Sequence, residues 1–335
     1  MNGFIKISHY AGMREDLVQA SGGNSSFKDG NKMYIKASGY HLCDVTEDDG
    51  YAVVDYQRIY NFFNNNQNIK DITDSEGRVA LEKAYISGKR PSIETYMHSV
   101  PMKYVLHTHP VVVNVLTCRK DSKEIINKLF PEACYIPYST PGVELAKEFF
   151  ECYSHNQDSL VYFLENHGLM VCGENADFVI NKTEEIINYI EMFLKINNSG
   201  YHIQTILWNY FPDKCIFKTN NINLINNFRK GIWNHTFCPD CVVFIGKKIL
   251  ELFEGDISFQ INKFTKMYGE PSVIVYKNDL YIVAKDYKKA CYIQSVLSFS
   301  GEVMNYNDDV ECRFLTEDEQ NFLLNWESEK YRKNI

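Results

Sequence analysis

The chain has 335 residues, 45% of them hydrophobic, so it is long for one compact domain, comfortable for two, and able to bury a sizeable core. A net charge of −8, with no basic cluster beyond pairs such as Lys288-Lys289, argues against a nucleic-acid footprint. No stretch reaches the roughly 18 uninterrupted apolar residues of a membrane span, the first residues lack a leader-like pattern, and the ten cysteines are scattered without framework spacing. Together these predict a soluble, cytoplasmic protein with reduced thiols and no membrane partner.

Residues 8–20 read as a helix capped by Ser8, with apolar positions at Ala11, Met13, Leu17 and Val18, ended by Ser21-Gly22-Gly23. Two short alternating runs, Asn24–Lys28 and Lys32–Lys36, flank Asp29-Gly30-Asn31 and predict a hairpin. A strand at Val53–Asp55 leads into a helix over Tyr56–Phe63, then a polar, exposed loop from Asn64 to Ser75. Ser92 is placed to cap a helix reaching about Val100, with Glu94 in its first turn. Met102–Leu106 reads as a strand and Val111–Thr117 as a helix; Cys134–Tyr138 enters the turn Ser139–Gly142, and Val143–Cys152 is helical. A strand pair around His167 precedes an amphipathic helix from about Ala176 to Asn197.

The polar turn Asn197–Gly200 sets the domain boundary, giving residues 1–197 and 198–335. In the second part, Pro271–Tyr276 and Leu280–Ala284 flank Lys277-Asn278-Asp279 as a hairpin. Asp286 caps a helix through Val303, and Thr316–Glu319 is a capping box opening a last helix to Lys333. Few clean strand–helix–strand units occur. The expected fold is therefore a three-layer α/β/α sandwich with a mixed, largely antiparallel central sheet, plus a smaller C-terminal α+β domain.

The chemistry concentrates in three histidines. His107 and His109 stand at i and i+2 after an apolar run, so a strand sends both to one face. His167 ends a second strand-like stretch, Ser159–Leu164. Three neutral imidazoles with one open position are the ligand set of a catalytic zinc, although ligand type alone also admits nickel, cobalt, manganese or iron. Glu94, thirteen residues before His107, adds a carboxylate that could work beside such an ion. His98, one helical turn after Glu94, reads as a packing or hydrogen-bonding residue. The glycines of Gly22-Gly23-Asn24 and Ser38-Gly39 would let backbone N–H groups approach an anion. Cys238-Pro-Asp-Cys241 is a lone CxxC, and a zinc knuckle there would need partners such as His235.

Four motifs in order carry a family resemblance: Gly22-Gly23-Asn24-Ser25-Ser26, Lys36-Ala37-Ser38-Gly39, Pro91-Ser92-Ile93-Glu94 with His107-Thr108-His109, and Asn166-His167-Gly168. They resemble the class II aldolase/adducin family, typified by fuculose- and rhamnulose-phosphate aldolases, across residues 5 to 195. The phrases at 17–24, 91–95 and 323–332 look closest to a longer bacterial branch similar to the aldolase half of aldolase/dehydrogenase fusion proteins.

The resemblance implies the same sandwich fold, with His107, His109 and His167 holding a divalent metal, foremost Zn2+, and Glu94 as general acid/base. It implies that Asn24, Ser38, Gly39 and Ser92 grip a substrate phosphate. Ile93 stands where the sugar-phosphate aldolases carry a second serine, so Lys36 or Lys28 would have to compensate. The implied activity is a metal-dependent aldolase acting on a phosphorylated ketose or related small sugar through a metal-stabilised enediolate. The alternatives are a decarboxylase or dehydratase of a sugar (acid) phosphate on the same site, or a non-catalytic adducin-like scaffold. Glutamate at position 94, where related epimerases have aspartate, favours cleavage, decarboxylation or dehydration over epimerisation. Relatives form fourfold rings with sites at subunit boundaries, so a homo-oligomer, foremost a tetramer, is expected. Tyr96, Tyr138 and Tyr331 are candidates for a second acid by chemistry only, and the segment around Trp326, Lys330 and Tyr331 could reach over a site.

Overall fold

In the computed structural model, which describes residues 1–66, 68–229, 236–307 and 311–326, the Gly30 hairpin forms as β1 (Asn24–Asp29) and β2 (Lys32–Lys36). Gly30 takes the left-handed backbone (φ 55°) that this tight connection needs. β3 (Tyr51–Asp55) and β4 (Tyr85–Gly88) continue the sheet on one side; β5 (Tyr104–Thr108), β6 (Cys134–Ile136), β7 (Val161–Leu164) and β8 (Gly168–Gly173) complete it on the other. The order is β4-β3-β2-β1-β5-β8-β7-β6, and every pairing is antiparallel except β6 with β7. The expected mixed, largely antiparallel sheet is thus present, with helices on both sides.

Strand alternation divides the chemistry between the two faces. One face is covered by α1 (Asn2–Gly12), α5 (Val111–Thr117) and α8 (Ala176–Leu194), the other by α2 (Tyr56–Asn64), α3 (Asp74–Ala84), α4 (Thr95–His98) and α7 (Val143–His155). A further helix, α6 (Ser122–Leu129), packs beside α5 and β6. Ser25 turns to α1, where its Oγ lies 2.7 Å from Ser8 Oγ; Ser26 turns to α4, where its Oγ lies 2.9 Å from His98 Nδ1. The main core fills the second face, with Met33, Val54, Phe63, Val105, Phe150 and Met170 buried together and the Phe63 and Phe150 rings stacked at 5.2 Å.

Several boundaries differ from expectation for identifiable reasons. The first helix runs Asn2–Gly12, and Ser8 is buried inside it, its hydroxyl donating to the Phe4 carbonyl instead of capping. The apolar stripe that matters is Phe4, Ile7, Tyr10 and Ala11. Past Gly12 the chain leaves the helix because the buried Arg14 guanidinium turns onto its near neighbour Asp16, with Nε 2.7 Å from Oδ1 and Nη2 2.6 Å from Oδ2. The expected helix at Ser92–Val100 shrinks to α4. Ser99 Oγ donates to the Tyr96 carbonyl, and Pro101 disfavours helical geometry at Val100. Within the polar loop Asn64–Ser75, Ile72 is buried and Thr73 caps α3, a helix not foreseen. α8 ends at Leu194, with Lys195 left-handed at φ 57°.

The chain divides into two compact units, Met1–Asn198 and Ser199–Ile335. The second holds α9 (Ser199–Trp208), β9 (Cys215–Lys218), α10 (Ile222–Arg229), a π-helical turn at Cys241–Ile245, β10 (Leu250–Leu252), α11 (Ile257–Tyr268), β11 (Val273–Tyr276), β12 (Asp279–Ala284), α12 (Tyr287–Asn305) and α13 (Glu317–Asn325). Its sheet runs β10-β11-β12-β9, and the expected hairpin forms with Lys277 and Asn278 both at positive φ. Asp286 caps α12 and Thr316 opens α13 through its capping box. α13 ends at Asn325; the expected continuation to Lys333, with Lys330 and Tyr331, lies outside the described residues, as does His235. Among the described residues no helix is long and apolar enough to cross a membrane.

Arg14 ties the first unit together. Its Nη1 also donates to Glu184 Oε1 on α8 at 2.7 Å, and Tyr10 Oη donates to the same oxygen at 2.9 Å. The loop it braces grips the histidine segment: His109 N donates to Leu17 O at 2.7 Å and Val111 N to Asp16 O at 2.9 Å. Arg14→Met should therefore cost about 3–5 kcal/mol, because it strands buried Asp16 without its partner. Urea unfolding measures this, and a loss below about 1 kcal/mol would mean that the pair is dispensable.

Candidate metal centre

His107 lies in β5, opposite Asn24 of β1 and Met170 of β8. Its Nδ1 stands 3.0 Å from the Leu169 carbonyl, which can only accept, so Nδ1 carries the proton and Nε2 presents a lone pair. That lone pair lies 3.1 Å from His109 Nε2 and 3.3 Å from His167 Nε2. Glu94 Oε1 approaches His107 Nε2 to 3.4 Å and His167 Nε2 to 3.5 Å. The ligand atoms of Glu94, His107, His109 and His167 all lie within 4.8 Å of one another.

The turns around the rings are shaped for close approach. Gly23 has φ 68° and sets its backbone against the His107 carbonyl, where a Cβ would come within 2.9 Å of that oxygen. Gly168 faces Thr108 O and the His109 ring so closely that any side chain would collide. Asn166 bends back at φ 52°, and Asn114 Nδ2 on α5 donates to the His167 carbonyl at 3.2 Å, fixing that turn from behind.

The donor set fits a small divalent cation. Imidazole nitrogens about 2.0–2.1 Å from a tetrahedral zinc lie about 3.3 Å apart, close to the 3.3 and 3.1 Å from His107 Nε2 to His167 Nε2 and His109 Nε2. Facing lone pairs repel unless a cation or a proton stands between them. The second bond of His107, to Leu169 O, is the outer support that metal-bound imidazoles usually have.

Burial sets the charge states. Desolvation, reinforced by His107 and His167, pushes His109 down to about 3, and His167 is also lowered by burial although Glu94 pulls the other way. Burial works to raise Glu94, but the imidazoles of His107 and His167 prevail and hold its carboxyl well below the usual range. His98 is driven well below its usual value by burial. It is not among the clustered ligands and meets Ser26, in keeping with a packing role.

The other sequence-predicted residues divide. Asn24 Nδ2 donates to Glu94 Oε2 at 3.3 Å, so this side chain touches the carboxylate directly. Ser38, Gly39 and Ser92 share one rim: a bridge joins Ala37 to Pro91, Ser38 N donates to Arg90 O at 3.0 Å, and Gly39 opens to free space. Ser92 Oγ accepts from Glu94 N at 3.3 Å. Lys36 is buried behind this rim, its Nζ donating to Ser21 O at 3.0 Å and Tyr40 O at 2.8 Å; it clamps the Gly22 and Gly39 turns together. Burial lowers Lys36 to about 8, while Glu94 opposes the shift.

Lys28 does not belong to the rim. It sits four residues along β1 from Asn24, about 13 Å away, with Nζ bound to Met102 O at 2.8 Å. Tyr96 packs its ring on Phe63 at 5.3 Å and does not serve the cluster, whereas Tyr138 is exposed. Sequence reasoning missed Arg14, Asp16 and Asn114, which support the cluster from behind. A buried charge pair two residues apart leaves no periodic signal, and Asn114 reads like any helix residue.

An eight-stranded mixed sheet with helices on both sides and a three-histidine, one-carboxylate cluster defines an aldolase-type metal domain. The sequence profile of the Class II Aldolase and Adducin N-terminal domain matches residues 3–194, and the chain belongs to this family. Over 200 residues it is 28% identical to an uncharacterised oxidoreductase, YuxG, of Bacillus subtilis, a match covering 56% of this chain and 28% of that protein's length. It is 29% identical to an L-fuculose phosphate aldolase of Methanococcus maripaludis, covering 58% of this chain and 96% of the relative. Over 125 residues it is 30% identical to the 3-oxo-tetronate 4-phosphate decarboxylase of Escherichia coli, covering 32% of this chain and 58% of the relative. The N-terminal class II aldolase domain of a conserved Thermoplasma acidophilum protein superposes with a TM-score of 0.51 at 25% identity, covering 57% of this chain and 92% of that one. Family members with these assigned activities are lyases, and class II aldolases use a divalent metal, for which the cluster is suited.

The lowered histidines predict a pH dependence of stability for the metal-free protein. His98, His109 and His41, the last lowered by burial to about 4, stay neutral when folded but take up protons near pH 6.5 when unfolded. The unfolded state then binds more protons, so stability is complete above pH 6.5 and falls as pH drops below it, by up to about 1.4 kcal/mol per pH unit per histidine. Urea unfolding at pH 7, 6 and 5 should show that decline, and a flat profile would place these rings in contact with solvent.

Proposed function

We propose that the protein is a metal-dependent aldolase that cleaves or forms a carbon–carbon bond in a phosphorylated ketose or related small sugar. The observation that carries this reading is the Glu94 carboxylate held against three convergent imidazoles. An aldolase relative matched over 96% of its length supports it. His107, His109 and His167 are the proposed ligands through Nε2, with Zn2+ the proposed ion. A bound divalent ion would supply Lewis-acid stabilisation of the negative charge that develops as the bond breaks.

The chain's own groups supply the rest. Glu94 carries the proton to or from the reacting carbon, and its ionised resting state suits it to accept first. Asn24 orients it by donating to Oε2. Ser38, Gly39 and Ser92 form the proposed phosphate grip, with Lys36 as the buried cation behind it; Asn24 joins the grip only through its neighbouring backbone turn, because its side chain is engaged with the acid. Ile93 is exposed and adds no donor. A second reading, decarboxylation of a sugar acid phosphate, has the decarboxylase relative in its favour. Ketose phosphates and keto-acid phosphates offered to metal-reconstituted enzyme separate the two, because one releases aldehyde and the other carbon dioxide.

Replacing His107, His109 or His167 with Ala should abolish bound metal, measured by atomic absorption, together with activity. Full metal content in all three variants would refute the ligand set. Glu94→Gln should keep the metal and lose roughly two to four decades of rate if its role is proton transfer; near-normal turnover would move that role elsewhere. Ser38→Ala should chiefly raise KM for phosphorylated substrate, whereas Asn24→Ala, which frees the acid, should chiefly lower kcat. An unchanged KM in Ser38→Ala would misplace the grip. We also propose a homo-oligomer, foremost a tetramer, with sites at subunit boundaries; a fully active monomer in light scattering would contradict it.

A further inference from the structure

We propose that Cys238 and Cys241 form a reversible dithiol–disulfide couple that exchanges with small-molecule disulfides, a site in the unit Ser199–Ile335 that is independent of the metal-centre reading. Their sulfurs lie 3.2 Å apart. A disulfide bond is about 2.05 Å long, so closing it needs a movement of roughly 1 Å. The spacing C-P-D-C brings the two side chains onto one turn, because Asp240 is already helical (φ −62°, ψ −35°) and leads into the turn Cys241–Ile245.

The two thiols have unequal surroundings. Cys238 is half-buried, and its sulfur faces the Cys241 thiol and the backbone N–H groups of Cys241 and Asp240. These donors stabilise a thiolate and lower Cys238 to about 6, against the opposing effect of burial. Cys241 is buried and raised by its neighbour Cys238 and by desolvation. Its sulfur lies 3.0 Å from Ser300 Oγ, whose own proton goes to the Val296 carbonyl at 2.7 Å, so the one Cys241 S–H proton has two acceptors in reach, Cys238 Sγ and Ser300 Oγ. A half-buried sulfur with thiolate character beside a buried thiol is the division of labour between an attacking and a resolving thiol.

The exchange balances without any group beyond the small disulfide. Cys238 Sγ attacks one sulfur of that disulfide, whose S–S bond breaks and releases one thiolate. Cys241 Sγ then attacks Cys238 Sγ and expels the second. One S–S bond forms in the protein for the one broken; the dithiol loses two electrons, the small disulfide gains them, and the two thiol protons end on the two small thiols. Closure removes the Cys241 S–H and pins Cys238 to the turn packed on α12.

The test titrates the full chain with mixtures of oxidised and reduced glutathione, quenches with acid, alkylates, and maps the peptide containing both residues by mass spectrometry. The expected result is joint loss of both alkylation sites in one two-electron transition, reversed by dithiothreitol. Cys241→Ser should stop at a stable mixed disulfide between Cys238 and glutathione, and Cys238→Ser should leave Cys241 unmodified. Serine is close to isosteric, and the wild-type titration needs no variant at all. Independent alkylation of the two residues in every mixture would overturn the proposal. So would a metal ion, lost in Cys238→Ser, that protects both thiols from alkylation.

Discussion

The antiparallel register of β5 between β1 and β8 decides what can meet at the metal centre, because it fixes which residues lie beside His107. That register sets His107 opposite Asn24 on one strand and Met170 on the other. Side chains alternate with period two, so a slip of one residue would send His107 toward α1 and bring an apolar residue to the cluster. The register is secured away from the chemistry. Val105, Met170 and Cys172 are buried in the core below the cluster, while Phe27 and Tyr104 pack across the pair at 5.2 Å on the opposite face. His109, one residue past the strand, needs a separate anchor and has it in the Leu17 carbonyl.

Charge is arranged around this sheet with the same economy. Burial lowers His109 and His167, which eases the close approach of the rings to one another, and one carboxylate stands against the cluster. Arg14, with no exposed surface, is held between two carboxylates, Asp16 and Glu184, so the brace behind His109 does not leave its buried cation uncompensated. Lys36 differs. Its Nζ donates to two neutral carbonyls, and the carboxylate that acts on it most strongly is Glu94. Adding a dication to this set would leave positive charge in excess on the rim where the phosphate grip is proposed, and oriented backbone donors would strengthen it.

Much of this was legible in the sequence because the informative signals are local. His107-Thr-His109 needs only strand alternation, the Gly30 and Asn278 hairpins only turn chemistry, and Asp286 and Thr316 only the first turn of a helix. The errors fell where a tertiary contact overrides local preference. Ser8 looks like a cap until Ser25 is placed beside it, and the apolar run through Leu17 and Val18 looks helical until Arg14 finds Asp16 and Glu184. α3 was missed since its face is largely polar and its burial comes from a few residues such as Gly77 and Ala84. The cluster was legible as a set of ligands, but its supports, from Arg14 to Asn114, were not. They act through backbone carbonyls and one side-chain amide, whose partners no sequence pattern names.

The shortness of α4 bears on how the proposed acid could be controlled. In a helix running from Ser92 to Val100, Glu94 would belong to a rigid first turn. Instead Pro101 and Ser99 end the helix early, and Glu94 stands just before it, in a segment tied to the sheet by the Ala37–Pro91 bridge and by Ser92 Oγ receiving Glu94 N–H. Ser92, proposed to hold the phosphate, is therefore bonded to the backbone of the residue proposed to move the proton. A phosphate that draws on the Ser92 hydroxyl would shift the Glu94 backbone with it, so binding energy from the unreactive end of the substrate could be used to orient the carboxylate at the reacting end. On the proposed reading, isoleucine at position 93 would leave this link intact, because the contact that reaches the acid runs through Ser92.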